Sequence, residues 1–533
     1  MKKRSVKGNA LAALQKAFSF SSAAEQYRTQ DVTALYQEEQ QYQCNRRKFI
    51  ADAGKAALVF SLAGMYQGCN FINGKTQPTV AIIGAGIAGL HAAYILKNAG
   101  YKSTIYEASG RCGGRILSVT DLMGPGLWTE MGGEFIDSTH EDMLNLSKKF
   151  NLPLLDRETD FSAGLAEFAY FFNGRQYHFQ DILKEIQPFR EQLIKDVASL
   201  SKEISFEKFT AADQRLDNMS ITNYLEQLGV KGWLRSMFEM AYLAEIGLDA
   251  SDQSAINMLG IFNPSNDKRN ELFGSSDERY SVIGGNDRVT SALQKELKEQ
   301  LQLGYYLTAM SKNNSNQYVL TFKTGGATRD IKADIVIMTI PFTILREVDI
   351  KMPLPQWKTN AIKNLGYGQS SKLFIGVNER TWRQQGFGGY CFTDNGLQNG
   401  YDHTQMQADN KGPGGYTINL GGQRSLDSVA KDTLALQNEY QPLLNDIYPG
   451  IEKVYNGKFQ RWHWPGFALS KGSYTGFKTG QYTTICGAME KPVDNLFFAG
   501  EHCSYEFQGF MNGAAKTGRL AAEEIIGKLK RTQ

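Results

Sequence analysis

The residues with the clearest chemical purpose stand where the chain first turns apolar. Gly84-Ala85-Gly86-Ile87-Ala88-Gly89 follows a short β-branched run, 79–83, and opens a helical pattern through Leu90, Ala93, Leu96 and Lys97. Gly100 closes that pattern, and a second run, 103–106, ends on Glu107. The arrangement suits a nucleotide that carries a pyrophosphate. Gly84 permits the tight turn, Gly86 lets backbone approach phosphate at a helix N-terminus, and Gly89 lets the helix lie close on the strand. Glu107, 23 residues after Gly84, can accept hydrogen bonds from a ribose. The pattern alone does not choose between NAD and FAD.

Two further strings make that choice. Glu107 runs directly into Ala108-Ser109-Gly110-Arg111-Cys112-Gly113-Gly114-Arg115. Its glycines bring backbone close to a cofactor, and Arg111 and Arg115 can offset phosphate charge. Near the C-terminus an apolar run, 495–499, ends in Gly500-Glu501, and Gln508-Gly509-Phe510-Met511-Asn512-Gly513 opens a helix. Tyr280-Ser281-Val282-Ile283-Gly284-Gly285 and the run 333–341 lie between them. Together these strings resemble the flavin-containing amine oxidases over roughly residues 78–533. The resemblance implies FAD, with Glu501 at the ribityl or phosphate region and the dipole of the helix near Met511 aimed at the flavin pyrimidine edge. Gly133, in Glu130-Met131-Gly132-Gly133-Glu134-Phe135, belongs to the same cofactor contact set.

The resemblance also proposes a reacting centre. Lys372, in Gly366-Tyr367-Gly368-Gln369-Ser370-Ser371-Lys372, matches a lysine water-bridged to flavin N5, where a cation helps reduced flavin meet dioxygen. Trp464 matches a tryptophan beside the flavin. Tyr474 and Phe510 match an aromatic pair that guides an amine, with phenylalanine where monoamine oxidases carry tyrosine. Ser473 stands where mammalian monoamine oxidases have the cysteine bonded to FAD, so non-covalent FAD is expected. The implied reaction passes hydride from the carbon next to nitrogen to flavin. The imine hydrolyses, and dioxygen is reduced to hydrogen peroxide.

Substrate class is narrowed less. L-amino-acid oxidases of the snake-venom type resemble the chain around Glu130 but carry a carboxylate-binding arginine at the position of Phe135, which argues against a free α-amino acid by that route. Glu134 faces either a cationic amine or backbone near the flavin. An L-amino-acid oxidase, a desaturase or protoporphyrinogen-oxidase-like enzyme, and a non-catalytic exported flavoprotein stay as alternatives.

These residues need a frame. The expected fold class is α/β, a Rossmann-like FAD-binding domain of the glutathione-reductase type with a substrate domain of antiparallel sheet and helical cap. The cofactor domain is predicted to be discontinuous, at 78–135, 280–340 and 485–533. Amphipathic patterns such as 221–228 and 233–238 predict a helical cap over 136–279. Period-two runs such as 416–420 predict a sheet within 342–484.

Residues 1–77 read as an export segment and linker, with 11 basic against 5 acidic side chains. The rest holds 47 basic and 50 acidic residues, so no nucleic-acid footprint is expected. Asn45-Arg46-Arg47-Lys48-Phe49-Ile50 before a run of about ten apolar residues resembles a twin-arginine signal, which exports folded, cofactor-loaded proteins. Cys69 stands where a lipoprotein acceptor would, so a periplasmic or membrane-anchored protein is expected, with a cytoplasmic one the alternative. Six cysteines make neither a disulfide framework nor a metal spacing, and Cys112, Cys391, Cys486 and Cys503 read as idle thiols. The partners expected are a small amine and dioxygen; oligomeric state is left open, with a dimer compatible.

Overall fold

In the computed structural model, residues 78–160, 164–260, 276–408 and 410–531 are described. The proposed signal, Cys69 and the linker lie outside them. Among the described residues no helix is long and apolar enough to cross a membrane.

Three short apolar strands make the heart of a five-stranded parallel sheet. Val80–Ile83, Ile335–Met338 and Leu496–Phe498 are buried along their whole length. Such continuous burial is what a parallel strand covered on both faces requires. The order across the sheet is Leu496–Phe498, Ile335–Met338, Val80–Ile83, Ser103–Glu107 and Leu301–Leu303. The three central strands come from sequence regions more than 150 residues apart, and the register Val80 to Ser103 and to Ile335 aligns carboxyl ends across the sheet. The helices Ile87–Asn98 and Met511–Arg531 pack together on this sheet through small side chains. At the contact, a Cβ on Gly518 would lie 2.2 Å from the carbonyl oxygen of Ala88. His91 Nδ1 sits 2.9 Å from the Ala515 carbonyl across the same contact.

The second large sheet has seven strands, in the order Tyr455–His463, Ser371–Val377, Gly414–Leu420, Asn399–Asp402, Phe387–Thr393, Ala166–Phe172 and Arg175–Tyr177. It is antiparallel except where Phe387–Thr393 pairs in parallel with Ala166–Phe172. Its register sets Lys372, Asn419, Asn399 and Phe392 in one transverse row, with Thr417, Tyr401 and Tyr390 in the next row on the same face.

One expected boundary needs correction. Residues 136–279 are not helical throughout. They begin with a helix, Glu141–Lys149, but Ala166–Phe172 and Arg175–Tyr177 extend the seven-stranded sheet before the helices from Phe179–Ile186 to Ala255–Leu259. The reason lies in Phe168, Tyr170 and Phe172, whose rings reach a core that only sheet alternation can offer them. The segment 280–340 holds more than strands of the parallel sheet. Tyr306–Lys312, Tyr318–Thr324 and Ala327–Ala333, with Asp349–Ile350, form a separate four-stranded sheet, docked by Phe322 stacking on Tyr106 at 4.9 Å.

Close helix packing here leaves no room for a methyl group. Gly518→Ala is expected to cost about 1–3 kcal/mol, read as a lowered denaturation midpoint with the flavin spectrum unchanged after reconstitution.

Candidate active site

A cavity of about 320 Å³ runs along the carboxyl ends of the parallel strands and on across the seven-stranded sheet. Ligands bind at this edge in open α/β sheets because loops and helix N-termini gather there. Ile83, Glu107, Thr339 and Gly500, each at the end of one parallel strand, contribute to its wall.

The glycine loop is shaped by sterics. Gly84 adopts φ +108°. A Cβ on Gly89 would sit 2.0 Å from the Gly84 carbonyl oxygen, so helix and strand could not approach as they do. At Gly86 the opposite holds: a Cβ would meet nothing within 4 Å, and the residue faces the cavity at the start of the Ile87–Asn98 helix. That open cradle at a helix N-terminus is the space a pyrophosphate needs. Glu107 accepts a hydrogen bond from the Ala85 amide through Oε2 (2.7 Å) and from Ser109 through Oε1 (2.8 Å). It stands at the cavity edge, where a ribose would lie.

Of the site residues expected from sequence, Gly84, Gly86, Glu107, Arg111, Gly114, Arg115, Gly133, Lys372, Trp464, Tyr474, Glu501, Phe510 and Met511 all border this cavity. Gly89 does not; it lies behind the wall, where it sets helix approach. Several partners differ from expectation. Arg111 turns back on its own loop, donating to the carbonyls of Cys112, Gly114 and Ile116. Arg115 donates to Glu501 Oε1 (2.9 Å) and the Ser473 carbonyl (2.7 Å). Glu501 also accepts from the Gly509 amide at 2.8 Å, which fixes the loop before the Met511–Arg531 helix. A Cβ on Gly133 would meet the Met511 side chain at 2.6 Å.

The reacting end is built by both halves of the molecule. Trp464 donates its indole N–H to the Met131 carbonyl (2.8 Å). The Tyr474 hydroxyl donates to the Ala244 carbonyl (3.3 Å), and burial pushes its ionisation well above the ordinary tyrosine range. Phe510 is held edge-on by the buried His140 ring, 4.9 Å between centroids. Ser473 Oγ donates to Ser370 Oγ (3.1 Å). Lys372 Nζ makes three hydrogen bonds, to the carbonyls of Glu130 (2.9 Å) and Gly132 (3.1 Å) and to Glu134 Oε2 (2.8 Å). Glu134 therefore answers neither sequence reading directly; its partners are Lys372 and the Tyr401 hydroxyl, at 2.6 Å.

Sequence reasoning missed the residues that hold this corner. Asn286 donates through Nδ2 to the carbonyls of Gly133 and Glu134, and its own amide donates to Glu130 Oε1. Burial raises the Glu130 carboxyl to about 8, against hydrogen bonds from Ser118 and Asn286 that favour its charge. Tyr390, Phe392, Asn399, Tyr401 and Asn419 also face the cavity, supplied by the two transverse rows of the sheet. Glu278 and Glu245 also line the cavity. Period-two alternation signalled the sheet strands but not which face would meet the cofactor half. Among the described residues no group of three His, Cys, Asp or Glu side chains could hold a metal ion.

The geometry fits FAD: the Gly86 cradle, Glu107 at the ribose end, and a continuous cavity reaching Trp464, Tyr474 and Lys372. Glu107→Ala is expected to lower flavin occupancy after purification, read from the ratio of 450 nm to 280 nm absorbance. Glu130 yields a pH test. The folded protein keeps a proton on Glu130 that the unfolded chain gives up, so this contribution is present at low pH and lost as pH rises through about 8. The denaturation midpoint of Glu130→Gln should fall less between pH 6 and 9 than that of the parent protein.

Comparison with known proteins places this geometry. Residues 87–526 match the family of flavin containing amine oxidoreductases. Bacillus subtilis (strain 168) YobN, provisionally named an L-amino-acid oxidase, is 26% identical over 475 residues, 84% of this chain and 94% of that protein. The L-amino-acid oxidase of Gloydius blomhoffii is 24% identical over 476 residues, 84% of this chain and 88% of that protein. Among solved structures, cyclohexylamine oxidase from Brevibacterium oxydans IH-35A shares the fold with a TM-score of 0.73 at 18% identity, covering 85% of this chain and all of that one. Putrescine oxidase bound to putrescine superposes with a TM-score of 0.71 at 20% identity, covering 85% of this chain and 99% of that one. The match spans the nucleotide loop's helix, the Lys372 strand and the closing helix together, and on it the chain belongs to the flavin-containing amine oxidoreductases as an FAD-dependent amine oxidase.

Proposed function

We propose that this enzyme oxidises a small amine at the carbon next to nitrogen and hands the electrons to dioxygen, giving an imine that hydrolyses and hydrogen peroxide. The observation that carries the reading is the convergence of Tyr474, Phe510, Trp464 and Lys372 on the cavity that the nucleotide loop opens into. When bound, FAD supplies the two-electron chemistry, accepting hydride from the substrate and passing both electrons on. Everything else falls to the chain. Tyr474 and Phe510 offer aromatic faces that suit a neutral or cationic amine. Lys372 places a fixed positive charge where negative charge develops during oxygen reduction. Its ammonium is held by two carbonyls and one carboxylate and cannot swing away. Ser473 offers no thiol, which supports non-covalent cofactor.

A second reading has one observation in its favour. All three protons of Lys372 already have acceptors, so its charge is largely compensated by Glu134. That suits an enzyme of the desaturase kind, or one whose electrons go to an acceptor other than dioxygen. Lys372→Met separates the two. Under the oxidase reading, reoxidation by dioxygen slows about 100-fold while anaerobic bleaching by amine changes far less, and Lys372→Arg restores much of the rate. Reoxidation unchanged in both variants would favour the second reading.

The proposed reading includes export of the folded, flavin-loaded protein. Arg46-Arg47 and the apolar run after them support this, and Cys69 is the proposed lipid acceptor. Acid precipitation of the purified protein is expected to leave yellow flavin in the supernatant; flavin retained in the pellet would overturn the inference from Ser473.

A further inference from the structure

We infer that the edge of the parallel sheet opposite the cavity is a docking surface for an anionic lipid bilayer. The surface goes beyond the reaction proposed above and borrows from the export reading only the tether at Cys69. All five strands of that sheet run the same way, so their amino ends form one edge and the cavity lies at the other. The amino edge is built by Lys102 before Ser103–Glu107, Lys298 and Glu299 before Leu301–Leu303, and Lys332 and Asp334 before Ile335–Met338. The helices Ile87–Asn98 and Met511–Arg531 end there too. Lys528 Nζ lies 4.5 Å from the centre of the Phe497 ring and donates to the Asp494 carbonyl at 3.4 Å, which fixes where the second helix stops, and Lys530 and Arg531 close it.

Most acids of this edge are answered within the protein. Asp494 accepts from Lys312 at 2.8 Å. Asp334 accepts from the Thr79 amide and hydroxyl at 2.8 Å each and from Gln317 at 2.9 Å. Glu296 lies 3.6 Å from Lys97, and Glu524 3.6 Å from Lys528. Glu299 is left facing solvent. The bases are not answered in the same way. Lys102, Lys298, Lys332, Lys530 and Arg531 are exposed and make no ion pair among the described residues. Cations at helix C-termini offset the partial negative charge gathered there, which accounts for Lys97, Lys528 and Lys530. It does not account for Lys102, in a loop, or Lys332, on a strand.

Two further observations name the occupant. Residues 78–533 carry 47 basic against 50 acidic side chains, so unpaired positive charge on one edge polarises the molecule along the strands. A broad anionic surface complements such an edge, and several lysines near it act together. The second observation is where the chain enters. Thr79 is bound to Asp334 on this same edge, so the segment before it departs from the basic face. Cys69 stands ten residues before Thr79, a reach of at most about 36 Å when fully extended. A lipid on Cys69 would therefore turn this edge toward the bilayer.

Docking in this orientation has a consequence for the reaction. The carboxyl edge of the sheet, where the cavity runs, faces away from the lipid. Substrate then arrives from the aqueous side. The contact is electrostatic and peripheral, since the residues at this edge that reach solvent are lysine and arginine rather than apolar side chains.

The test is sedimentation of the full-length holoenzyme, carrying Cys69→Ser so that no lipid is attached, with vesicles of phosphatidylcholine alone or mixed with phosphatidylglycerol. Binding to the mixed vesicles only is expected, weakening steeply as salt is added. Combining Lys102→Glu, Lys332→Glu and Lys530→Glu should lower the partition coefficient by at least about 100-fold. The same three positions changed to Gln serve if the reversed protein does not fold, which flavin absorbance reports. A control combines Lys195→Glu, Lys231→Glu and Lys453→Glu, exposed lysines on elements of the other half. It makes the same change in net charge and should lower binding far less. Residues 1–77 are common to every variant, so their own basic charge cancels in the comparison. Equal loss in the two triple variants, or no loss in the first, would overturn the docking face. Retention by a duplex DNA fragment but not by mixed vesicles would overturn lipid as the occupant. Mass spectrometry of the Cys69 peptide from the parent protein decides the tether separately: an unmodified cysteine beside face-dependent vesicle binding would remove the anchor and keep the surface.

Discussion

Lys372 joins the two halves of this enzyme through one ammonium group. It projects from the seven-stranded sheet, and its acceptors, the carbonyls of Glu130 and Gly132 and the carboxylate of Glu134, lie on the segment that leaves the cofactor half. Asn286, at the start of the Asp287–Glu296 helix, fastens that segment in turn to the cofactor half. Because the pair with Glu134 is buried, each charge needs the other: losing one partner leaves an uncompensated ion in a low-dielectric site. Together with Asn286, this contact is one of the ties between the nucleotide-loop half and the seven-stranded sheet. The catalytic role proposed for Lys372 and its structural role would be two uses of the same fixed charge.

Electrostatics divide the cavity along its length. Helix N-termini and Arg111 gather positive potential where phosphates belong, and Arg115 turns part of that charge onto Glu501 to brace the closing loop. Elsewhere the wall includes Glu245 and Glu278, with aromatic and amide side chains fixed by sheet register. Several of the buried acids, Glu130 and Glu278 among them, keep protons that an exposed carboxylate would lose. Their neutrality at moderate pH lets so many acids crowd around one lysine.

Much of this was visible before any coordinates. The nucleotide loop announced itself because its demands are local: a tight turn, a close helix approach and a glycine facing phosphate each require specific residue types at fixed separations. The short apolar run at 79–83 likewise marked a strand covered on both faces, and 495–499 an apolar strand. The expected cap over 136–279 fared less well. Ala166–Phe172 looks amphipathic under either period, and pairing with a strand more than 200 residues away decided for sheet.

The sequence by itself determined the cofactor class and the family, because these rest on short motifs whose physics is contained within a few turns of chain. Only the tertiary structure decided what those residues touch. It turned Arg111 back on its own loop, paired Arg115 with Glu501, gave Glu134 to Lys372 and Tyr401, and brought Glu278 against Tyr390. Each of these contacts joins groups whose meeting depends on folding, and most span more than a hundred positions. A charge finds its partner only after the sheets have set their register and the halves have closed, so the identity of that partner is a property of the fold rather than of any motif.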